Sequence, residues 1–94
     1  MSSIDLQMRP VLVPHARLKM DAVSGDPVLL FPEGMFVLNS TAHEIVRHCD
    51  GRKTVGELLQ LLGEEFDVGK EVLQTDLFEN LEQLRRRNLI ALSL

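Results

Sequence analysis

Short apolar runs occupy the first part of this chain and predict β-strands. Polar and apolar residues alternate over residues 16–21, which predicts a half-buried strand with Leu18 and Met20 facing inward. Residues 28–31 and 35–38 are apolar runs, each of which follows a turn that contains glycine and proline, and a helix start follows residue 38. Because the connections are short, we expect these strands to pair as an antiparallel three-stranded meander.

After residue 39 the apolar spacing changes to the helical period of 3.6 residues. Thr41 and Glu44 have the spacing of a capping box, although Ser40 is a competing cap. We expect this first helix to continue to Cys49 and to stop at Gly51, in a left-handed conformation.

Two further helices follow. Thr54 begins a second capping box, and the apolar face of its helix contains Val55, Leu58, Leu59, Leu62 and Phe66. Asp67 is the expected cap of a third helix that runs to about Arg87, with Asn88 as a left-handed terminator. Its predicted buried stripe contains Val72, Leu73, Leu77, Leu81 and Leu84. Residues 89–92 are predicted to form a short final strand.

Strands that precede helices in this way indicate an α+β fold in which the helices cover one face of the sheet. Residues 1–14 contain Pro10 and Pro14 and show no stable period, so we interpret them as an extended N-terminal arm. Its apolar residues 11–13 could dock on a second subunit. Residues 15–94 are predicted to form a single domain.

Composition argues against several functional classes. The net charge of −4 disfavours nucleic-acid binding, which needs concentrated positive charge. Cys49 has no partner for an internal disulfide and fits a reducing compartment, and no apolar run approaches a membrane span. We therefore expect a cytoplasmic protein. No nucleophile–base pair, phosphate loop or metal cluster stands out, so we predict no enzyme activity, cofactor or metal.

The third strand carries the functional prediction. Because Met35, Phe36, Val37 and Leu38 end the meander, they would lie at an apolar edge, and such edges commonly pair with another chain. Phe78 widens the apolar face of the third helix and could form one wall of a groove. The alternative is that this strand is simply core, covered by the arm or by the last strand.

The order and spacing of several segments resemble a known family over residues 9–90. These segments are Arg9-Pro10, Pro14-His15-Ala16-Arg17-Leu18, Val28-Leu29-Leu30, Leu38-Asn39-Ser40-Thr41-Ala42 and Cys49-Asp50-Gly51-Arg52-Lys53-Thr54-Val55. Together they resemble the PqqD family, pyrroloquinoline quinone (PQQ) biosynthesis protein D. The chain departs from the family pattern at Asn88, where we would expect glycine.

The resemblance implies a winged-helix-like domain of the kind that recognises ribosomally made, modified peptides, a RiPP recognition element. It implies a non-catalytic chaperone that binds the precursor peptide PqqA and delivers it to the radical S-adenosylmethionine enzyme PqqE. The peptide would add to the third strand and lie beside the third helix. Carried over to this chain, the peptide-binding positions are Met35, Phe36, Val37, Leu38, Leu73, Leu77, Phe78 and Leu81.

The sequence is also compatible with two other functions. A winged-helix nucleic-acid-binding protein would present Arg85, Arg86 and Arg87 to phosphates. A structural scaffold would form a homodimer through the N-terminal arm or the edge strand. His15 and the three arginines are weaker candidates for docking a protein partner.

Overall fold

The computed structural model describes residues 4–94 and has an α+β fold. Its strands are β1 (Arg9–Leu12), β2 (Arg17–Met20), β3 (Pro27–Phe31), β4 (Gly34–Val37) and β5 (Ile90–Ser93). Its helices are α1 (Ser40–Arg47), α2 (Val55–Glu65) and α3 (Lys70–Arg86). The predicted antiparallel meander is confirmed as a three-stranded sheet with the order β2-β3-β4, and the three predicted helices are also confirmed.

The two ends of the described chain meet in a second, two-stranded sheet. Strand β1 pairs antiparallel with β5, and the Val13 N–H extends the contact by donating to the Leu89 carbonyl at 2.9 Å. The predicted arm is therefore extended at residues 9–12 and is bound to its own chain there. Residues 1–3 of the arm lie outside the described residues, and the domain boundary at residue 14 stays a prediction.

The core forms where one face of the β2-β3-β4 sheet meets the three helices. Leu29 is fully buried at the centre of the sheet and packs into the same cluster as the apolar stripes of α2 and α3. The predicted stripes are confirmed for the four leucines of α3, which are Leu73, Leu77, Leu81 and Leu84. They are confirmed in α2 for Val55, Leu58, Leu59 and Leu62, with Phe66 partly buried against the cluster.

Two residues predicted to be buried are exposed. Met20 is 60% exposed because it ends an edge strand, opposite Pro27, where few neighbours can cover it. Val72 is 54% exposed. It lies about 100° around the helix from Leu73 and so falls outside the stripe that packs on the core.

Two of the predicted N-caps are wrong. Helix α1 is capped by Asn39, whose side-chain oxygen accepts the Ala42 N–H at 2.8 Å, and Ser40 and Thr41 lie inside the helix. The cap of α3 is Gly69, without a side-chain bond, instead of Asp67. Helix α1 also ends at Arg47, two residues before the predicted Cys49. Where neighbouring residues have similar capping ability, the direction in which the chain enters the helix decides which of them is the cap.

The capping box of α2 is confirmed. The Glu57 N–H donates to Thr54 Oγ1 at 3.1 Å, and the Thr54 N–H donates to Glu57 Oε1 at 2.8 Å. The hydrogen bond from the Thr54 backbone is the main cause that holds the pKa of Glu57 below its usual range. The left-handed conformation predicted for Gly51 is also confirmed, with φ +80°.

Asn88 ends α3 as predicted, with φ +58°. Its N–H donates to the Arg85 carbonyl at 3.0 Å, and the Leu89 N–H donates to the Leu84 carbonyl at 2.9 Å. This pair of bonds is a Schellman motif, in which asparagine takes the position that glycine usually holds. The motif turns the chain directly into β5 and fixes the position of the last residues of α3.

Candidate functional site

The outer edge of β4 is unpaired, because no strand within residues 4–94 lies beyond it. The Leu38 N–H donates to the Pro27 carbonyl at 2.9 Å, which identifies that pair as a hydrogen-bonded one. In an antiparallel pair such positions alternate, so the backbone groups of Phe36 also point to β3. The backbone groups of Met35 and Val37 therefore point outward, away from the sheet.

The side chains of β4 also alternate between the two faces of the sheet. Phe36 packs against the core, and its ring centroid is 5.2 Å from that of Phe31. Met35 and Val37 are 52% and 64% exposed. An edge that combines open backbone groups with exposed apolar side chains is suited to accept a further strand.

The opposite edge of the same sheet, β2, differs in character. In β3, Leu29 points its backbone groups to β4, so Val28 and Leu30 point theirs to β2, where they bond to Lys19 and Arg17. The backbone groups of Leu18 and Met20 therefore point outward. Between and beside them lie Arg17 and Lys19, both charged and exposed. Charged residues on an edge strand discourage pairing with another chain. Of the two edges, β4 is therefore the one better suited to pair with another strand.

A cleft of about 210 Å³ opens beside the end of β4, between α1 and α3. Ala42 and Val46 of α1 and Leu84 of α3 give it an apolar part, while Asn80 and Gln83 of α3 add polar amide groups. Residues of β4 line the same cleft, so a strand added to β4 would run along its opening.

The predicted contact residues of α3 do not line this cleft. Leu73, Leu77 and Leu81 are 2%, 0% and 0% exposed and belong to the core. Phe78 is partly buried and borders a different, shallow pocket of about 410 Å³. Because Phe78 and Asn80 are two positions apart, they lie about 200° apart around the helix. The structure thus brings β4 together with Asn80, Gln83 and Leu84. The i, i+3, i+4 spacing of these three residues could have shown from the sequence that they share one face of α3.

The three arginines at the end of α3 have different environments. Arg85 and Arg86 both bind the carboxylate of Glu82, and the Arg86 Nε lies 3.3 Å from Glu82 Oε1. The hydrogen bond from Arg85 is the main cause that holds the pKa of Glu82 below its usual range. The Arg87 guanidinium instead lies over the ring of Phe36, with its central carbon 4.7 Å from the ring centroid. His15, the other docking candidate, is exposed in the turn between β1 and β2.

Three side chains outside this region come close enough to hold a metal ion. The ligand atoms of Glu44, His48 and Glu65 all lie within 4.8 Å of one another. Arg47 Nη1 is 3.0 Å from Glu44 Oε1 and already balances its charge. Partial burial opposes ionisation of Glu44, but the hydrogen bond and charge of Arg47, together with Glu65 and His48, keep the pKa of this carboxyl below its usual value.

Cys49 is expected to be unreactive while the protein is folded. Its buried thiol lies 3.2 Å from the Ile45 carbonyl, to which it donates, and burial raises its pKa to about 12. Only thiolate reacts rapidly with thiol reagents, so labelling with a chromogenic disulfide should be negligible at neutral pH and should accelerate in denaturant. Rapid stoichiometric labelling in buffer would contradict this expectation, and the protein in 6 M guanidinium gives the full signal as a control.

Residues 27–90 match the family model of coenzyme PQQ synthesis protein D (PqqD). A protein of Gluconobacter oxydans named PqqA binding protein is 35% identical over 79% of this chain and 77% of its own length. The bifunctional coenzyme PQQ synthesis protein C/D of Methylorubrum extorquens is 32% identical over 86% of this chain, which spans 22% of that protein.

Similarity to a solved structure covers almost the whole chain. The solution NMR structure of the PqqD truncation of Methylobacterium extorquens PqqCD has a TM-score of 0.78 and 28% identity, over 96% of both chains. That truncation represents a functional, stand-alone RiPP recognition element. The family match runs from β3 to the start of β5 and so includes β4 and all three helices. Fold and sequence agree: the chain belongs to the PqqD family of coenzyme PQQ synthesis proteins.

Proposed function

We propose that this chain is a peptide chaperone of PQQ biosynthesis, which binds the PqqA precursor peptide as an additional strand on β4. The observation that carries the proposal is the unpaired β4 edge, where Met35 and Val37 point their backbone groups outward beside an open cleft. The identity of the peptide is supported by relatives that are named PqqA binding protein.

Strand addition explains how a small domain can bind a flexible peptide. Backbone N–H and C=O groups bond to any extended sequence, while alternate side chains give selectivity. Here Met35 and Val37 would contact the peptide side chains on one face of the added strand, and the cleft beside α3 would contact those on the other face. Both contacts would give selectivity for the peptide sequence. An interface of this kind buries less than about 1,200 Å², which gives moderate and reversible affinity. Reversible binding suits a carrier that must release its substrate.

In this proposal the bound peptide is presented to the radical S-adenosylmethionine enzyme PqqE, in the cytoplasm, where Cys49 would remain reduced. Presentation requires binding and no chemistry from the chaperone itself, and the expected lack of catalysis, metal and cofactor stays a prediction. Within residues 4–94 no helix is both long enough and apolar enough to cross a membrane.

The other two functions have less support. Two of the three arginines that would face nucleic acid are engaged by Glu82, which leaves Arg87 without a partner carboxylate among the described residues. The arm strand β1 pairs with β5 of its own chain, so the β4 edge is the remaining route proposed for a homodimer. A dimer through β4 would compete with the peptide.

The proposal is tested by titrating the ¹⁵N-labelled protein with a synthetic PqqA peptide and following the amide resonances. We expect saturable shifts concentrated at residues 35–39 and 80–87. The amides of β2, on the other edge of the same sheet, serve as an internal control and should move little. Shifts centred on β2, or no shift at millimolar peptide, would refute strand addition to β4.

A further inference from the structure

At the end of α3, Arg87 contacts Phe36 of β4. The Arg87 guanidinium lies over the Phe36 ring at 4.7 Å, a cation–π contact that places a positive charge at the edge of the sheet. Arg85 and Arg86 share the carboxylate of Glu82, whereas no carboxylate of residues 4–94 forms an ion pair with Arg87. Among these three arginines, Arg87 alone has no carboxylate partner within residues 4–94, and it is the one that contacts β4.

The register of an added strand determines which of its side chains meets this charge. A guest strand must bond to the outward backbone groups of Met35 and Val37. Its residue beside Phe36 then points its side chain to the same face as Phe36, which is the face that carries the helices. Since neighbouring strands lie about 4.8 Å apart, this side chain would lie next to the Phe36 ring, which the Arg87 guanidinium covers.

The chemistry of that position favours a carboxylate. A guanidinium lying over a ring keeps its in-plane N–H donors available, and their fork matches the two oxygens of a carboxylate. A lysine or arginine of the peptide at this position would be repelled. The guest residues on either side face Met35 and Val37, which are apolar and exposed.

We propose that Arg87 is a specificity-determining residue that selects an acidic side chain on the peptide residue beside Phe36. This inference rests on the proposed strand addition to β4. The peptide segment that binds would then read apolar–acidic–apolar, with the two apolar residues beside Met35 and Val37.

A double-mutant cycle tests this assignment. The affinities of the wild-type protein and of Arg87→Gln are measured by isothermal titration for a synthetic PqqA peptide and for variants in which each acidic residue is replaced by its amide. We expect Arg87→Gln to weaken binding of the unmodified peptide by about threefold to tenfold, the range for a charge-assisted pair at a partly exposed site. One amide variant should bind the wild-type protein equally weakly and show no further loss with Arg87→Gln.

Two further variants separate charge from packing. Arg87→Lys keeps the charge but lacks the planar fork, so it should recover part of the affinity, whereas Arg87→Met keeps an apolar contact with Phe36 and should recover none. Arg86→Gln is the matched control, because Arg86 is already paired with Glu82 and should leave the affinity within about twofold. Thermal unfolding of each variant establishes that it is folded.

The outcomes distinguish this inference from the proposed function. Unchanged affinity in Arg87→Gln, together with loss of binding when the β4 edge is blocked, would overturn the role of Arg87 and leave the peptide site in place. An equal loss for all peptides, without coupling and without recovery in Arg87→Lys, would mean that Arg87 acts by packing and would also overturn it. A wild-type protein that binds no PqqA peptide would overturn both.

Discussion

Replacing Val37 by proline should weaken binding of the PqqA peptide by at least about tenfold while the protein remains folded. The Val37 N–H points away from β3, so its loss removes no bond of the sheet but deprives a guest strand of a donor. An unmet backbone group costs about 1–3 kcal/mol, and the proline ring also obstructs the approach of the guest strand. Isothermal titration of wild type and variant measures the effect.

Met20→Pro is the matched control for this experiment. Met20 lies on the opposite edge of the same sheet, and its backbone groups also point outward. Peptide affinity should therefore stay close to that of wild type. Equal losses in both variants would indicate a general disturbance of the sheet, and an unchanged affinity in Val37→Pro would exclude the β4 edge as the binding site.

Replacing Leu77 by alanine should lower the free energy of unfolding by about 2–5 kcal/mol, because the side chain is fully buried in the core. Since 1 kcal/mol corresponds to about 4–8 °C in a domain of this size, the unfolding midpoint should fall by more than about 8 °C. Urea denaturation followed by circular dichroism measures the loss. Val72→Ala on the same helix is the control and should cost less than about 0.5 kcal/mol, because Val72 is exposed.

The same Leu77 variant tests the contact expected from the family resemblance. If Leu77 supports α3 from within the core, peptide affinity measured at a temperature where the variant is folded should stay within about twofold of wild type. A large loss of affinity with little change in stability would show instead that the peptide reaches Leu77.

Features that depend on neighbours within one or two helical turns were predictable. The capping box of Thr54 and the left-handed Asn88 depend on local backbone geometry, and the leucine stripe of α3 depends on residue spacing. The same reasoning failed where several neighbours could do the same task. A helix can be capped by any of the three residues Asn39, Ser40 and Thr41. The direction in which the chain arrives from β4 makes Asn39 the cap.

By itself the sequence determined the order from β2 to β5, the apolar character of residues 35–38 and, through its resemblance, the family, but it did not predict β1. These follow from local periodicity and from motifs that are read along the chain. Only the tertiary structure decided that β1 pairs with β5 and leaves β4 open, and that Asn80 and Gln83 face the cleft in place of Phe78. The physical reason is that spacing fixes a residue's angle around its own helix, whereas the packing of the whole core decides which flank of that helix meets the sheet.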